Sequence, residues 1–165
     1  MTQAATALSQ CLAQYAAYHR DRRNVATHLL GIPMIVLAVE VLLSRPVWLG
    51  GVTPAMLASV AAGLFYLRLD LRFGVVMGVL LALCAWAGLA VAALPTAQWL
   101  GWGLGLFVVG WAIQFVGHWF EGRKPAFVDD VKSLLIGPLF VVAELAFMLG
   151  LRRDLAAQVT GPAPQ

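Results

Sequence analysis

Charge is what this sequence has least of. Eleven Lys and Arg and eight Asp and Glu among 165 residues make 12% charged, against 61% hydrophobic, where a soluble domain is nearer 25% charged. With a mean hydropathy of +0.84, a water-soluble globular domain is excluded and an all-α, polytopic integral membrane helix bundle is expected. Cysteine is nearly absent too. Cys11 precedes the first apolar stretch and Cys84 lies in the middle of another, so a disulfide between them is geometrically excluded. No polar linker, internal repeat or low-complexity tract divides the chain. It is expected to be one membrane domain over 1–165, with an N-terminal interfacial segment over 1–23, a helix bundle over 24–151 and a flexible tail over 152–165. The first 28 residues lack the apolar core of a secretory signal and end in charge. The net charge of +3 does not imply a nucleic-acid partner, because membrane proteins gather Lys and Arg in loops on one side.

Nearly charge-free stretches run over 29–43, 47–67, 73–94, 97–120 and 133–151. All but the first reach the roughly 17 to 25 residues that a helix needs to cross about 30 Å of hydrocarbon. The first carries Pro33 and Glu40 and spans only if its helix begins earlier, near Asn24. About five membrane-embedded helices are therefore expected. Ahead of them Leu8, Cys11, Leu12, Tyr15 and Tyr18 recur at helical spacing, on a helix that either lies in the membrane interface or packs on the bundle. Assigning the loops alternately sets Arg20, Arg22, Arg23, Arg68, Arg72, Arg123, Lys124 and Lys132 against Arg45, Arg152 and Arg153, which makes the N-terminal side cytoplasmic. Gly63, Gly74, Gly78, Gly101, Gly103, Gly105 and Gly110 are expected to let helices approach closely. Trp48, Trp99, Trp102 and Trp119, near span ends, read as interfacial anchors.

Against this scarcity, YHRDRRNVATHLLGIP at 18–33 is dense in polar groups and holds two of the three histidines, His19 and His28. The third is His118. If four helices separate His28 from His118, the chain returns to the side it left, and all three share the cytoplasmic edge. Asn24 and His28 lie on one helical face, as do Gln114, His118 and Glu121. His19 and His28 would point to opposite sides of one straight helix, so the backbone must bend between them, plausibly over 21–24, if both bind one ion. Imidazole and carboxylate together suit a first-row transition metal such as iron, zinc or manganese. Asn24, Gln114 and Glu121 are available to brace such a centre; the other reading of the histidines is as polar residues at the membrane edge. Glu40 and Glu144 lie in apolar stretches, where an ionised carboxylate costs at least about 2.5 to 3.5 kcal/mol unless paired. Glu144, near the middle of its stretch, is the stronger functional candidate, and Glu40 is closer to a helix end, within reach of headgroups.

These stretches together resemble the Mpo1-like (DUF962) membrane proteins. YHRDRRNVATHLLGIP is similar to that family's N-terminal signature, in which a His, an Asn and a second His lead into a Gly-Ile-Pro helix start. QFVGHWFEGRKPA at 114–126 is similar to the second signature, and LIGPLFVVAE at 135–144 to the C-terminal part. The resemblance implies an iron(II)-dependent dioxygenase of 2-hydroxy fatty acids acting in fatty acid α-oxidation, with O₂ as co-substrate. It implies His19, His28 and His118 as the iron ligands; Glu121 is a candidate fourth ligand, and Asn24 a residue behind the ligands. A 2-hydroxy acid can chelate iron through its carboxylate and hydroxyl oxygens, leaving a position for O₂. Helices at the bilayer offer its tail an apolar slot. Arg23, Arg123 and Lys124 are candidates to neutralise the substrate carboxylate, though they read more readily as topology determinants that attract anionic membrane lipid. Two other functions stay open: a zinc-type metal-dependent lipid hydrolase and a non-catalytic lipid-binding membrane protein.

Overall fold

The computed structural model describes residues 6–160, which form seven α-helices and two single 3-10 turns, with no strand among them. The helices are α1 (Ala7–Ala16), α2 (Arg22–Leu43), α3 (Pro54–Leu69), α4 (Leu71–Ala92), α5 (Thr96–Glu121), α6 (Ser133–Met148) and α7 (Arg153–Thr160). By length and composition α2, α4 and α5 can each cross a membrane. The stretch over 29–43 meets its condition, because Asp21 caps the helix by accepting from Arg23 N at 2.8 Å. Helix α2 therefore starts at Arg22 and runs 22 residues with Pro33 inside it.

Two apolar stretches make shorter helices than the sequence predicts. Helix α3 has 16 residues, about 24 Å at 1.5 Å per residue, because Gly50 and Gly51 take φ of 76° and 79° and turn the chain ahead of it. Thr53 then caps it, its Oγ1 accepting from Met56 N at 3.3 Å. Helix α6 also has 16 residues, and Gly150 at φ 73° with Arg152 at φ 52° reverses the chain behind it.

That reversal corrects the expected topology. Tyr66 Oη donates to the Leu135 carbonyl at 2.7 Å near the start of α6. Beyond its end, Arg152 Nη2 meets Asp70 Oδ2 at 2.9 Å. Tyr66 and Asp70 are one turn apart at the end of α3, so the start of α6 and the turn beyond its end are both tied to this end of the bundle. Arg152 and Arg153 thus sit with Arg68 and Arg72, not opposite them, and every Lys and Arg except Arg45 collects at the histidine end. The Arg152 guanidinium holds the Asp70 carboxyl below the usual carboxylate range, so this contact stabilises the fold at neutral pH and weakens as acid protonates Asp70.

The tail expected over 152–165 is instead helical through Thr160, since Leu155 and Val159, four apart, bury against Leu8 and Leu12 of α1; residues 161–165 lie outside the described residues, as do 1–5. Helix α1 packs on the bundle: Leu8, Leu12 and Tyr15 are buried with Ile136, Leu139 and Phe140 of α6. The two acids exchange places. Glu40 is buried and accepts from Ser59 Oγ at 2.7 Å, while Glu144 is half-buried, on α6, and makes no hydrogen bond. Both cysteines are free. Trp48, Trp102 and Trp119 are mostly exposed, as anchors would be, but Trp99 is tied in, Nε1 donating to the Val41 carbonyl at 2.8 Å.

Helices α2 to α5 form an up-and-down bundle in which α2 and α5 make the closest pair. A Cβ added to Gly31 would lie 2.9 Å from the Gly110 carbonyl oxygen, and one on Gly110 would lie 2.8 Å from Ile35 Cγ1. Gly74 and Gly103 also meet neighbours, whereas Gly63, Gly78, Gly101 and Gly105 face open space. Gly110→Val should therefore overpack the α2–α5 crossing, at about 1–3 kcal/mol, and lower the melting temperature of the detergent-solubilised protein. Gly105→Val is expected to stay within about 0.5 kcal/mol of the parent. Equal melting temperatures for the two variants would contradict so tight a crossing.

Candidate metal centre

The polar end of the α2–α5 pair carries the histidines. His19 lies in the break between α1 and α2, His28 in the second turn of α2 and His118 in the last turn of α5. The bend needed to bring His19 and His28 together falls over 17–21, earlier than the expected 21–24, because Asp21 starts α2 and places Asn24 inside it. All three rings are buried, with exposures of 4%, 2% and 7%.

Two backbone carbonyls aim two of the rings. His19 Nδ1 lies 2.7 Å from the Tyr15 carbonyl oxygen, and His28 Nδ1 lies 2.8 Å from that of Asn24. A carbonyl oxygen only accepts, so each Nδ1 carries the proton and each Nε2 presents a lone pair. Those two Nε2 atoms are 3.0 Å apart. With both Nε2 atoms as acceptors the contact is unfavourable as it stands, and a shared cation would relieve it. His118 completes the group, one ligand atom from each histidine lying within 4.8 Å of the others. Tyr15 stacks on His19 with centroids 4.2 Å apart, and Phe140 stands 5.7 Å away. Burial among these rings pushes the His19 pKa down to about 4, against the opposing pull of the Tyr15 carbonyl. The imidazole is therefore neutral near pH 7, the form that binds metal. Neutral nitrogen donors converging in an enclosed pocket fit a divalent first-row ion.

Glu121 does not join them. Its carboxylate accepts from Arg20 N at 3.0 Å, Asp21 N at 2.8 Å and Asn24 Nδ2 at 3.1 Å. It clamps the segment that holds His19 onto the end of α5, and its oxygens serve these backbone and Asn24 donors. Asn24 braces His28 through its backbone carbonyl, while its side chain reaches Glu121. Gln114 bonds no histidine; its Nε2 is buried without a partner and the residue lines a cavity of about 70 Å³ beside His28 and His118. None of the three cations placed at the mouth lines that cavity. Arg23 pairs with Asp21 at 2.8 Å and lies over Phe120, Arg123 Nη1 donates to the Ala17 carbonyl at 3.1 Å, and Lys124 pairs with Asp129 at 2.6 Å. Glu144 does not line it either.

Sequence reasoning missed Trp111, which lines the same cavity with its Nε1 buried and unpartnered. The signal was available: residues 111, 114 and 118 follow the i, i+3, i+7 pattern of one helical face.

Comparison with known proteins identifies the family. A family model described as "2-hydroxy-palmitic acid dioxygenase Mpo1-like" matches residues 5–149. The chain is 36% identical over 145 residues to the 2-hydroxy-palmitic acid dioxygenase MPO1 of Saccharomyces cerevisiae, covering 87% of this chain and 82% of that protein. No solved structure matches the chain significantly.

The geometry separates the roles of Glu121 and the histidines. Glu121→Gln, which keeps an acceptor for the backbone amides, should weaken cobalt(II) binding less than about tenfold, and Glu121→Ala about 10- to 100-fold, as for groups that orient ligands. His28→Ala should remove stoichiometric binding. Spectrophotometric cobalt titration in detergent reads all three, and loss of binding in Glu121→Gln equal to that in His28→Ala would make Glu121 a ligand after all.

Proposed function

Since the chain belongs to the Mpo1-like family, we propose that it is a dioxygenase that shortens 2-hydroxy fatty acids by one carbon, using iron(II) held by His19, His28 and His118. The observation that carries this reading is the pair of facing Nε2 lone pairs 3.0 Å apart, with the third imidazole alongside. An all-nitrogen set of three leaves positions on an octahedral ion for a chelating substrate and for O₂. Iron(II) there would supply the activation of O₂ that cleaves the bond between C1 and C2.

The chain's own residues do the rest. The Tyr15 and Asn24 carbonyls keep the Nε2 lone pairs free of protons. Glu121 fixes the segment that bears His19, and Tyr15 and Phe140 exclude water from its ring. Gln114 offers its unpartnered Nε2 to an oxygen of the substrate's carboxylate or hydroxyl. With Arg23, Arg123 and Lys124 engaged elsewhere, the substrate's negative charge is left to the metal and to neutral donors. Placing every Lys and Arg but Arg45 at the histidine end favours a cytoplasmic position for the site, with the surrounding anionic lipid drawn to the same face.

Purified protein supplied with iron(II), O₂ and 2-hydroxypalmitate should consume oxygen and yield pentadecanoate. Replacing any one of the three histidines by Ala should bring the rate to background. Turnover that proceeds without oxygen, or with zinc alone, would replace this reading by a hydrolase.

A further inference from the structure

The cavity beside the histidines is itself an elongated groove. Along α2 its wall runs from His28 through Ile32 and Ile35 to Val36, eight residues or about 12 Å of helix. Gln114 and Trp111 of α5 form one side, and Leu134, Gly137 and Pro138 of α6 the other. These two sides both lean on α2, yet α5 and α6 make at most marginal contact with each other. The groove is therefore open between them. Phe127, in the 3-10 turn Ala126–Val128, stands 5.1 Å from Trp111 at that opening. Leu134, which lines the groove, is 49% exposed.

The lining changes character along its length. Imidazoles and the buried Gln114 amide occupy the inner end, and beyond Ile32 the α2 wall is aliphatic. Such a gradient fits an amphiphile with a compact polar head and an unbranched tail. A larger cavity of about 230 Å³ lies on the other side of the Ile32, Val36 and Pro138 wall, between α2, α4 and α6. It is lined almost wholly by apolar residues and touches no histidine, so it offers a head group nothing.

We propose that the substrate enters sideways from the bilayer between α5 and α6, its head meeting the histidines and its alkyl chain lying along Ile35, Trp111, Leu134 and Pro138. This rests on the fatty-acid reading above and adds the route and the seat of the tail. Entry from the lipid phase keeps the tail out of water at every stage, which spares each methylene the cost of exposure.

The test uses the full chain in phosphatidylcholine–phosphatidylglycerol nanodiscs with 2-hydroxypalmitate carrying a diazirine near its chain end. After irradiation, peptide mass spectrometry should find adducts at Ile35, Trp111, Leu134 or Pro138, suppressed by unlabelled 2-hydroxypalmitate. Adducts at Met77, Leu81, Cys84 or Leu145 would move the tail to the other cavity and overturn the proposal. Scattered adducts on outward residues such as Val60 and Val108, insensitive to the competitor, would mean bilayer solvation only. In parallel, Leu134→Trp at the opening should raise KM for 2-hydroxypalmitate relative to 2-hydroxyoctanoate by about tenfold, with the metal-to-protein ratio unchanged. An identical change for both chain lengths counts against the groove. Labelling does not require turnover, so competed adducts in a protein that takes up no metal would end the oxygenase reading and leave the groove intact.

Discussion

The structure depends on two backbone carbonyls. Tyr15 and Asn24 each offer an oxygen to an imidazole Nδ1, and those contacts decide which nitrogen of His19 and of His28 is left with its lone pair. Without them either ring could turn its proton toward the other and satisfy the pair by an ordinary hydrogen bond. With them, two acceptors meet at 3.0 Å and the site is unfavourable until something positive enters. The orientation of the two rings is built into the main chain, where side-chain substitution at 15 or 24 does not directly remove it.

Holding that arrangement is the task of the α2–α5 pair. Gly31, Gly110 and Gly117 let the two helices touch nearly backbone to backbone, which brings the first turns of α2 beside the last turn of α5. Glu121 then fastens the preceding loop by accepting from two successive backbone amides and from Asn24. A carboxylate at the end of one helix thus does the work of an N-terminal clamp for the next. The segment with His19 has few regular hydrogen bonds of its own, and its geometry follows from this clamp and from the Arg123 contact with the Ala17 carbonyl.

Much of this was legible in the residues. An even number of helices between His28 and His118 brings both to one end, and spacings of three and four gather Gln114, His118 and Glu121 on one face. What hydropathy could not tell was direction. The stretch over 133–151 is uniformly apolar, and nothing in that pattern foretells the chain reversal at Gly150 and Arg152 or the Asp70 ion pair that brings Arg152 to the end of α3. That Glu121 accepts from two backbone amides was not legible, because such partners leave no trace in a sequence pattern. Trp111 was hidden among tryptophans that do anchor at the membrane edge, although its register with Gln114 and His118 marked it. The tail over 152–160 looked disordered because its apolar face consists of only two large residues, Leu155 and Val159, and needs α1 to mean anything.

The ion pair behind α6 has a mechanical consequence. Asp70 caps α4 by accepting from Phe73 N and also holds both terminal guanidinium nitrogens of Arg152, so the α3–α4 junction and the turn into α7 are coupled and loosen together.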